Sequence, residues 1–324
     1  MQWSGLYIIK SKRMKKYIYI IVFLSILQMA CNRSESNSQV VDEIASIENG
    51  LIKPLHIKGD SIETFSIPDR MAFHKVPGIS IAVVRNGTLQ WAKAYGLANT
   101  TDSTEVTKST LFQAGSISKP IAALAALKLY EENKVDLDTD VNTYLKNWKV
   151  EEIEFTKKVK VTLRRLLTHT AGMTVHGFPG YRQTDTFPTI NEVLDGNGNT
   201  PRIYVDTPPD SIWRYSGGGY TVMEKVVEDI SGLPLEKYMK TNILQPLEMN
   251  SSTYEQPLPR KYHDKASAAY DSQGRIIEGL WHNYPEQAAA GLWTTPTDLA
   301  RYCIAIQEIA AGKSVSVLSK QTIG

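Results

Sequence analysis

Ser116 and Lys119 are the residues whose types and spacing most clearly indicate chemistry, within Phe112-Gln-Ala-Gly-Ser-Ile-Ser-Lys-Pro120. Apolar residues at helical spacing follow, and they predict a helix that continues to about Asn133. Side chains three residues apart in a first helical turn lie on one face. A serine hydroxyl needs a base to take its proton, and a lysine is such a base when its pKa is lowered. The pair predicts a nucleophile, Ser116, beside its base, Lys119.

The same four residues also fit an ordinary helix start with an exposed lysine. Roughly one or two Ser-x-x-Lys matches are expected by chance in a chain rich in both residues. The spacing alone therefore leaves both interpretations open, and other segments must decide between them.

The composition of the chain excludes several functional classes. With 324 residues, 42% of them hydrophobic, the chain can form a large core in one or two domains. A net charge of +2 gives no reason to expect a nucleic-acid partner. Two cysteines, Cys31 and Cys303, exclude a disulfide framework. Because HExxH, paired CxxC and GxGxxG motifs are absent from the sequence, we expect neither a metal nor a cofactor.

The N-terminal segment has the pattern of a targeting signal. Met14 and two lysines precede an uncharged, mostly apolar stretch at 17–30. That stretch has the length of a signal-peptide core and is shorter than the ~20 residues of a membrane-spanning helix. Cys31 follows Ala30, which resembles a bacterial lipoprotein processing site and predicts lipidation of Cys31. The alternative is a cleaved secretory signal in which Cys31 has no role.

These features divide the chain into four parts. We interpret residues 1–13 as an over-extended start and residues 14–31 as the signal peptide. Residues 32–39 are polar and predict a tether to the membrane surface. Residues 40–324 are expected to form one globular domain, whose identity follows from the resemblance described below.

Local patterns predict where this domain forms strands and helices. Two β-rich runs at 79–84 and 88–95 meet at Asn86-Gly87, which predicts a hairpin. Helical spacing and stop signals predict helices over 67–75, 162–170, 220–232 and 295–311. Residues 176–201 are rich in Gly, Pro, Asn and Thr, which predicts either a plain surface loop or the rim of a pocket.

Six blocks of sequence together resemble the serine β-lactamase and penicillin-binding-protein group. The resemblance is to the branch with class C β-lactamases, D-alanyl-D-alanine carboxypeptidases and related esterases, and it covers roughly residues 66–324. It implies an α+β fold with an antiparallel sheet flanked by helices and a mostly helical subdomain. The blocks are Val76-Pro-Gly-Ile-Ser-Ile-Ala-Val-Val, the Ser116 block, Leu166-Leu-Thr-His-Thr-Ala-Gly172, Trp213-Arg-Tyr-Ser-Gly-Gly-Gly-Tyr220, Leu244-Gln-Pro-Leu-Glu-Met249 and Ala289-Ala-Gly-Leu-Trp-Thr-Thr-Pro-Thr-Asp298.

The resemblance also assigns roles to residues beyond the first pair. Tyr215 stands where the family has a tyrosine that shares the base role, and a phenol can do so beside the positive charge that Lys119 would supply. The alternative for Tyr215 is a buried core position. Gly217 replaces an asparagine that would bind a substrate amide, which argues against strong β-lactam turnover. Gly217 and His282 are the candidate substrate-binding positions, although packing is the commoner role for His282. His169 is expected to be structural.

The third motif of the family, Lys-Thr-Gly or His-x-Gly, is absent after Tyr215. That motif lies on a late strand beside the site, so we expect a C-terminally truncated chain with an incomplete sheet. We therefore expect the chain as written to be inactive.

The resemblance implies a cell-envelope serine hydrolase that forms an acyl-enzyme on Ser116 with ester or amide substrates. Such substrates include small molecules, β-lactams and peptidoglycan peptides. The alternative is a β-lactam or peptidoglycan sensor without turnover, or an inactive scaffold. The expected membrane contact is the lipid on Cys31.

Overall fold

The computed structural model describes residues 41–324. Contacts group the chain into two compact units that meet in sequence at His74 and Lys75. The predicted start, signal peptide, lipidated Cys31 and tether all lie outside the described residues. Within residues 41–324, helix length and hydropathy leave none of the helices able to cross a membrane.

The first unit is built from short elements. The described part of helix α1 covers residues 41–48. Strand β1 (Leu51–Ile52) pairs antiparallel with β2 (Thr64–Phe65), and helix α2 (Ile67–His74) follows. The side chains of Ser66 and Asp69 accept each other's backbone N–H, which caps α2 at its predicted start.

The second unit begins with the predicted hairpin, which is confirmed. Strand β3 (Gly78–Arg85) pairs antiparallel with β4 (Thr88–Asn99), and β5 (Thr104–Glu105) adds to the far side of β4. Asn86 and Gly87 both have positive φ, 52° and 71°, as a type I′ turn requires. Gly78 must lack a side chain, because a Cβ there would lie 2.3 Å from the Leu97 carbonyl oxygen.

Most of the regular elements of the second unit are helices. Its longest helices are α3 (Ser118–Glu131), α7 (Gly217–Ser231) and α10 (Pro296–Ala310). The shorter elements are α4 (Glu154–Lys158), α5 (Leu163–Leu167), α6 (Ile190–Leu194), α8 (Leu235–Met239), α9 (Gln287–Ala290), α11 (Lys320–Ile323), 3₁₀ turns at Gly115–Ile117, Val141–Thr143 and Arg260–Lys265, and a π-helical turn at Lys240–Leu244.

Three predicted elements differ from the structure. Helix α5 is shorter than residues 162–170, and His169, two residues after its end, is left-handed (φ 61°). Helix α7 begins earlier than predicted, at Gly217, because the Ser216 hydroxyl accepts the Gly219 N–H at 2.9 Å and caps it. The segment 176–201 contains α6, whose capping box is Thr189 and Glu192.

Helix α3 lies at the centre of the hydrophobic core. It packs against α7 and α9, and its Ile121, Ala125 and Leu129 are fully buried. Strand β6 (Phe112–Gln113), which leads into this helix, pairs with β7 (Trp293–Thr294), and α10 packs on β3 and β4. The predicted α+β class, with antiparallel strands and flanking helices, is confirmed.

Candidate active site

Ser116 lies in the 3₁₀ turn between β6 and α3, and its side chain is exposed. Gly115 before it is left-handed (φ 52°), a conformation that glycine adopts without a side-chain clash. Ser118 holds the turn from below: its hydroxyl donates to the Gly115 carbonyl at 2.6 Å and accepts the Leu292 N–H at 3.0 Å. The Ser116 hydroxyl is therefore presented to solvent on a fixed turn.

Lys119 is buried beneath Ser116, with 4% of the residue exposed. Its Nζ donates to Ser116 Oγ at 3.1 Å and to the Ala289 carbonyl oxygen at 2.8 Å. Burial lowers the pKa of Lys119, because a charged amine is poorly solvated there. The predicted pair is thus in contact, and the neutral amine that burial favours can accept the serine proton.

Two tyrosine rings enclose the Lys119 amine. Its Nζ lies 5.0 Å from the ring centroid of Tyr215 and 5.8 Å from that of Tyr220. Burial raises the pKa of Tyr220 to about 12, and its hydroxyl donates to the Leu167 carbonyl at 3.3 Å. Tyr215 is half-buried rather than a core residue. The structure therefore brings Ser116, Lys119 and Tyr215 together.

His169 supports Tyr215 from one side. Its ring lies 4.5 Å from the Tyr215 ring, and its Nδ1 accepts the Ser216 N–H at 3.2 Å. Burial, and then the charge of Lys119, lower the pKa of His169. A neutral imidazole that accepts a backbone N–H fits the structural role expected for His169.

A second histidine, His176, contacts Tyr215. It was not among the site residues predicted from sequence. Its ring centroid lies 4.8 Å from that of Tyr215, and the side chain is exposed. In the sequence His176 only begins a polar segment, so no local signal identified it.

The two predicted substrate-binding positions differ in what they contact. Gly217 is buried at the start of α7, and its N–H donates to the His176 carbonyl at 3.0 Å. His282 Nδ1 pairs with the Pro179 carbonyl at 2.9 Å, and the His282 carbonyl accepts from Gln113 Nε2 at 2.6 Å. These contacts join loops, and His282 is not brought into contact with the Ser116, Lys119 and Tyr215 group.

Two buried carboxyl groups lie beside α9, the helix whose Ala289 carbonyl accepts from Lys119. Glu224 accepts the Ala288 N–H at 2.8 Å, and burial raises the pKa of Glu224 well above its usual range. Both carboxyl oxygens of Glu286 lack a hydrogen-bond partner among the described residues, and burial raises the pKa of Glu286 to about 7. The one sequence signal for Glu224 was its place in the helical run of α7.

Comparison with known proteins gives a consistent set of similarities. The family model described as Beta-lactamase matches residues 66–323. Teichoic acid D-alanine hydrolase of Staphylococcus aureus is 26% identical over 231 residues, covering 71% of this chain and 54% of that protein. The structure of the octameric penicillin-binding protein homologue from Pyrococcus abyssi matches with a TM-score of 0.64 and 29% identity. That match covers 79% of this chain and 57% of the other. This chain spans about half the length of the curated relatives it matches.

Proposed function

Because this chain belongs to the beta-lactamase family, we propose that it is a cell-envelope serine hydrolase that forms an acyl-enzyme on Ser116. One observation carries the proposal: the exposed Ser116 hydroxyl lies 3.1 Å from the buried Lys119 amine. Acyl transfer needs a nucleophile that the substrate can reach and a neutral base beside it. Ser116 is exposed, and burial keeps the Lys119 amine away from solvent. The family and the geometry support the same class of reaction.

In the acylation step, Ser116 Oγ attacks the substrate carbonyl as its proton passes to the neutral Lys119 amine. The bond between the carbonyl carbon and the leaving group then breaks. Tyr215 passes a proton to the departing oxygen or nitrogen, and Lys119 restores the proton of Tyr215. The products of this step are an ester on Ser116 and a neutral alcohol or amine.

Deacylation repeats the step with water as the nucleophile. Water loses a proton to the same Lys119 and Tyr215 pair as it attacks the ester carbonyl, and the Ser116 oxygen leaves with a proton. We assign one oxyanion donor to the Ser116 backbone N–H, because first-turn amides lack an intrahelical acceptor.

We assign D-alanyl esters as the preferred substrate class. The similarity to a teichoic acid D-alanine hydrolase supports an ester of D-alanine, and it also supports a location in the cell envelope. Gly217 supplies no side-chain amide that could bind a substrate amide, so peptides and β-lactams are expected to be poorer substrates.

Covalent labelling by a fluorophosphonate tests this function. Because the chain as written is expected to be inactive, this test and those below use a version extended to include the third motif of the family. In that protein Ser116→Ala should abolish both labelling and hydrolysis of D-alanine methyl ester, whereas Ser272→Ala, at another exposed serine, should change neither. Labelling that persists in Ser116→Ala would refute the nucleophile. Labelling of Ser116 by an activated D-alanyl ester without release of the acyl group would instead indicate a sensor.

A further inference from the structure

Tyr215 is flanked by two imidazole rings that differ in their surroundings. The His169 and His176 rings lie 4.5 and 4.8 Å from it, tilted by 34° and 44°. His169 is half-buried, and its Nδ1 is occupied by the Ser216 N–H. His176 is exposed, and its ring nitrogens form no hydrogen bond with a described residue. The His169 ring is therefore used in a structural hydrogen bond, whereas the His176 ring has a free donor and a free acceptor exposed to solvent.

The backbone that carries His176 is held firmly against the start of α7. Three successive carbonyls accept hydrogen bonds: Thr174 from Ser216 Oγ at 2.7 Å, Val175 from the Gly218 N–H at 3.0 Å and His176 from the Gly217 N–H at 3.0 Å. The exposed imidazole is therefore carried by a backbone that is hydrogen-bonded to the start of α7.

The backbone at Val175, just before His176, is in a strained conformation. It has a φ of 61°, the left-handed region that a β-branched residue adopts only under constraint. Such strained positions cluster at binding and catalytic sites, where the surrounding structure imposes them. Here the left-handed turn at Val175 directly precedes His176.

The same segment accounts for the missing side chain at Gly217. A Cβ at Gly217 would lie 3.0 Å from the Phe178 ring and 3.1 Å from the His176 carbonyl oxygen. Residues 176–178 thus fill the space into which a side chain at position 217 would start. The polar group that this chain presents beside Tyr215 comes from residue 176 instead.

Building on the function proposed above, we propose that His176 is a specificity-determining residue that contacts the leaving group of the substrate. Tyr215 delivers the proton to that group, so a ring that contacts the Tyr215 ring is close to where the group departs. A hydroxyl matches the free donor and acceptor capacity of the imidazole. The substrate class is therefore an ester whose alcohol carries a further hydroxyl.

Two esters of D-alanine separate this contact from a packing role. The glycerol ester has free hydroxyls on its leaving group, and the methyl ester has none. His176→Phe keeps an aromatic ring against Tyr215 and loses the hydrogen bond, whereas His176→Asn does the reverse. We expect His176→Phe to lower kcat/KM about tenfold for the glycerol ester and less than twofold for the methyl ester. His176→Asn should retain more of the preference for the glycerol ester than His176→Phe does.

The controls keep the outcomes distinct. His56→Phe, at an exposed histidine of the first unit, should leave both esters unaffected. Equal losses of His176→Phe on both esters, or greater activity of His176→Phe than of His176→Asn on the glycerol ester, would show that the ring only packs and would overturn the inference. If Ser116-dependent turnover of both esters is absent in the unsubstituted protein, the proposed hydrolase function fails and this inference falls with it.

Discussion

The Lys119 amine donates to the Ala289 carbonyl oxygen at 2.8 Å, so the proposed base is held by α9 as well as by its own helix. Residues 119 and 289 are far apart in sequence, and this bond joins the two segments at the reacting atoms. It also fixes the direction of the amine: one N–H is directed at Ala289, which orients the remaining valences of Nζ toward Ser116 and Tyr215. The position of the base therefore depends on the packing of α9.

Replacing Lys119 by methionine tests its role as the base. Methionine has a similar length and suits a buried site, so we expect the fold to persist. The rate of fluorophosphonate labelling should fall by roughly 10²–10⁴, the usual scale for loss of a proton-transfer group. Lys128→Met, on the same helix and away from Ser116, is the matched control and should label at the normal rate. A loss of less than threefold in Lys119→Met would contradict the assignment.

Tyr215→Phe should separate catalysis from packing. The ring that covers Lys119 is retained and only the hydroxyl is lost, so the melting temperature should change little. We expect acylation to slow by about 10² or more, because the proton relay to the leaving group is removed. Stopped-flow acylation by a D-alanyl ester measures this rate, with Tyr204→Phe, at an exposed tyrosine, as control. An unchanged rate would make Tyr215 a packing residue.

The elements that followed from sequence are those encoded by neighbours in the chain. The Asn86-Gly87 turn between two β-rich runs predicted the hairpin, and Thr295 before Pro296 predicted the start of α10. Ser116 and Lys119 also lie within one helical turn, so their contact required only that the helix form. In each case the deciding interaction spans a few residues.

The parts that sequence did not predict depend on contacts between distant segments. The His176 and Tyr215 rings are in contact because the backbone of residues 174–176 is hydrogen-bonded to the start of α7. The burial of Glu286 depends on how α9 packs in the folded core, and a single glutamate in a polar turn gives no local sign of it. The start of α7 was missed since three glycines are poor helix formers and the Ser216 cap compensates for them.

The lipoprotein signal that the sequence predicts at residues 14–31 implies a membrane-bound protein with lipid on Cys31. Cys31→Ser should abolish incorporation of labelled palmitate and move the protein from the membrane fraction to the soluble fraction, or block its processing. The control is Cys303→Ser, because Cys303 is an exposed free cysteine without a signal before it. Palmitate incorporation that survives Cys31→Ser, or unsubstituted protein that is soluble and lipid-free, would favour a plain secretory signal.

Glu286 should make the stability of the protein fall as pH rises toward neutrality. Burial raises the pKa of Glu286 from 4.5 to about 7, so the folded protein keeps a proton that the unfolded chain releases. The free energy of unfolding should therefore decrease between about pH 4.5 and 7, by about 3 kcal/mol for this group. Burial also raises the pKa of Glu224, so Glu224 contributes a pH dependence of the same sign, and the unsubstituted protein shows both effects.

Glu286→Gln tests this dependence, because glutamine has a similar shape and does not titrate. Urea unfolding at pH 5 and pH 8 should show a smaller difference in unfolding free energy for Glu286→Gln than for the unsubstituted protein. Glu308→Gln, at an exposed glutamate of α10, should leave the difference unchanged. A pH dependence that is identical in Glu286→Gln would mean that Glu286 titrates alike in the folded and unfolded chains, which would contradict the prediction. A smaller difference in Glu286→Gln would show that Glu286 keeps its proton in the folded protein, at the start of the helix that holds the Lys119 amine, because the two proteins differ only in that titrating group.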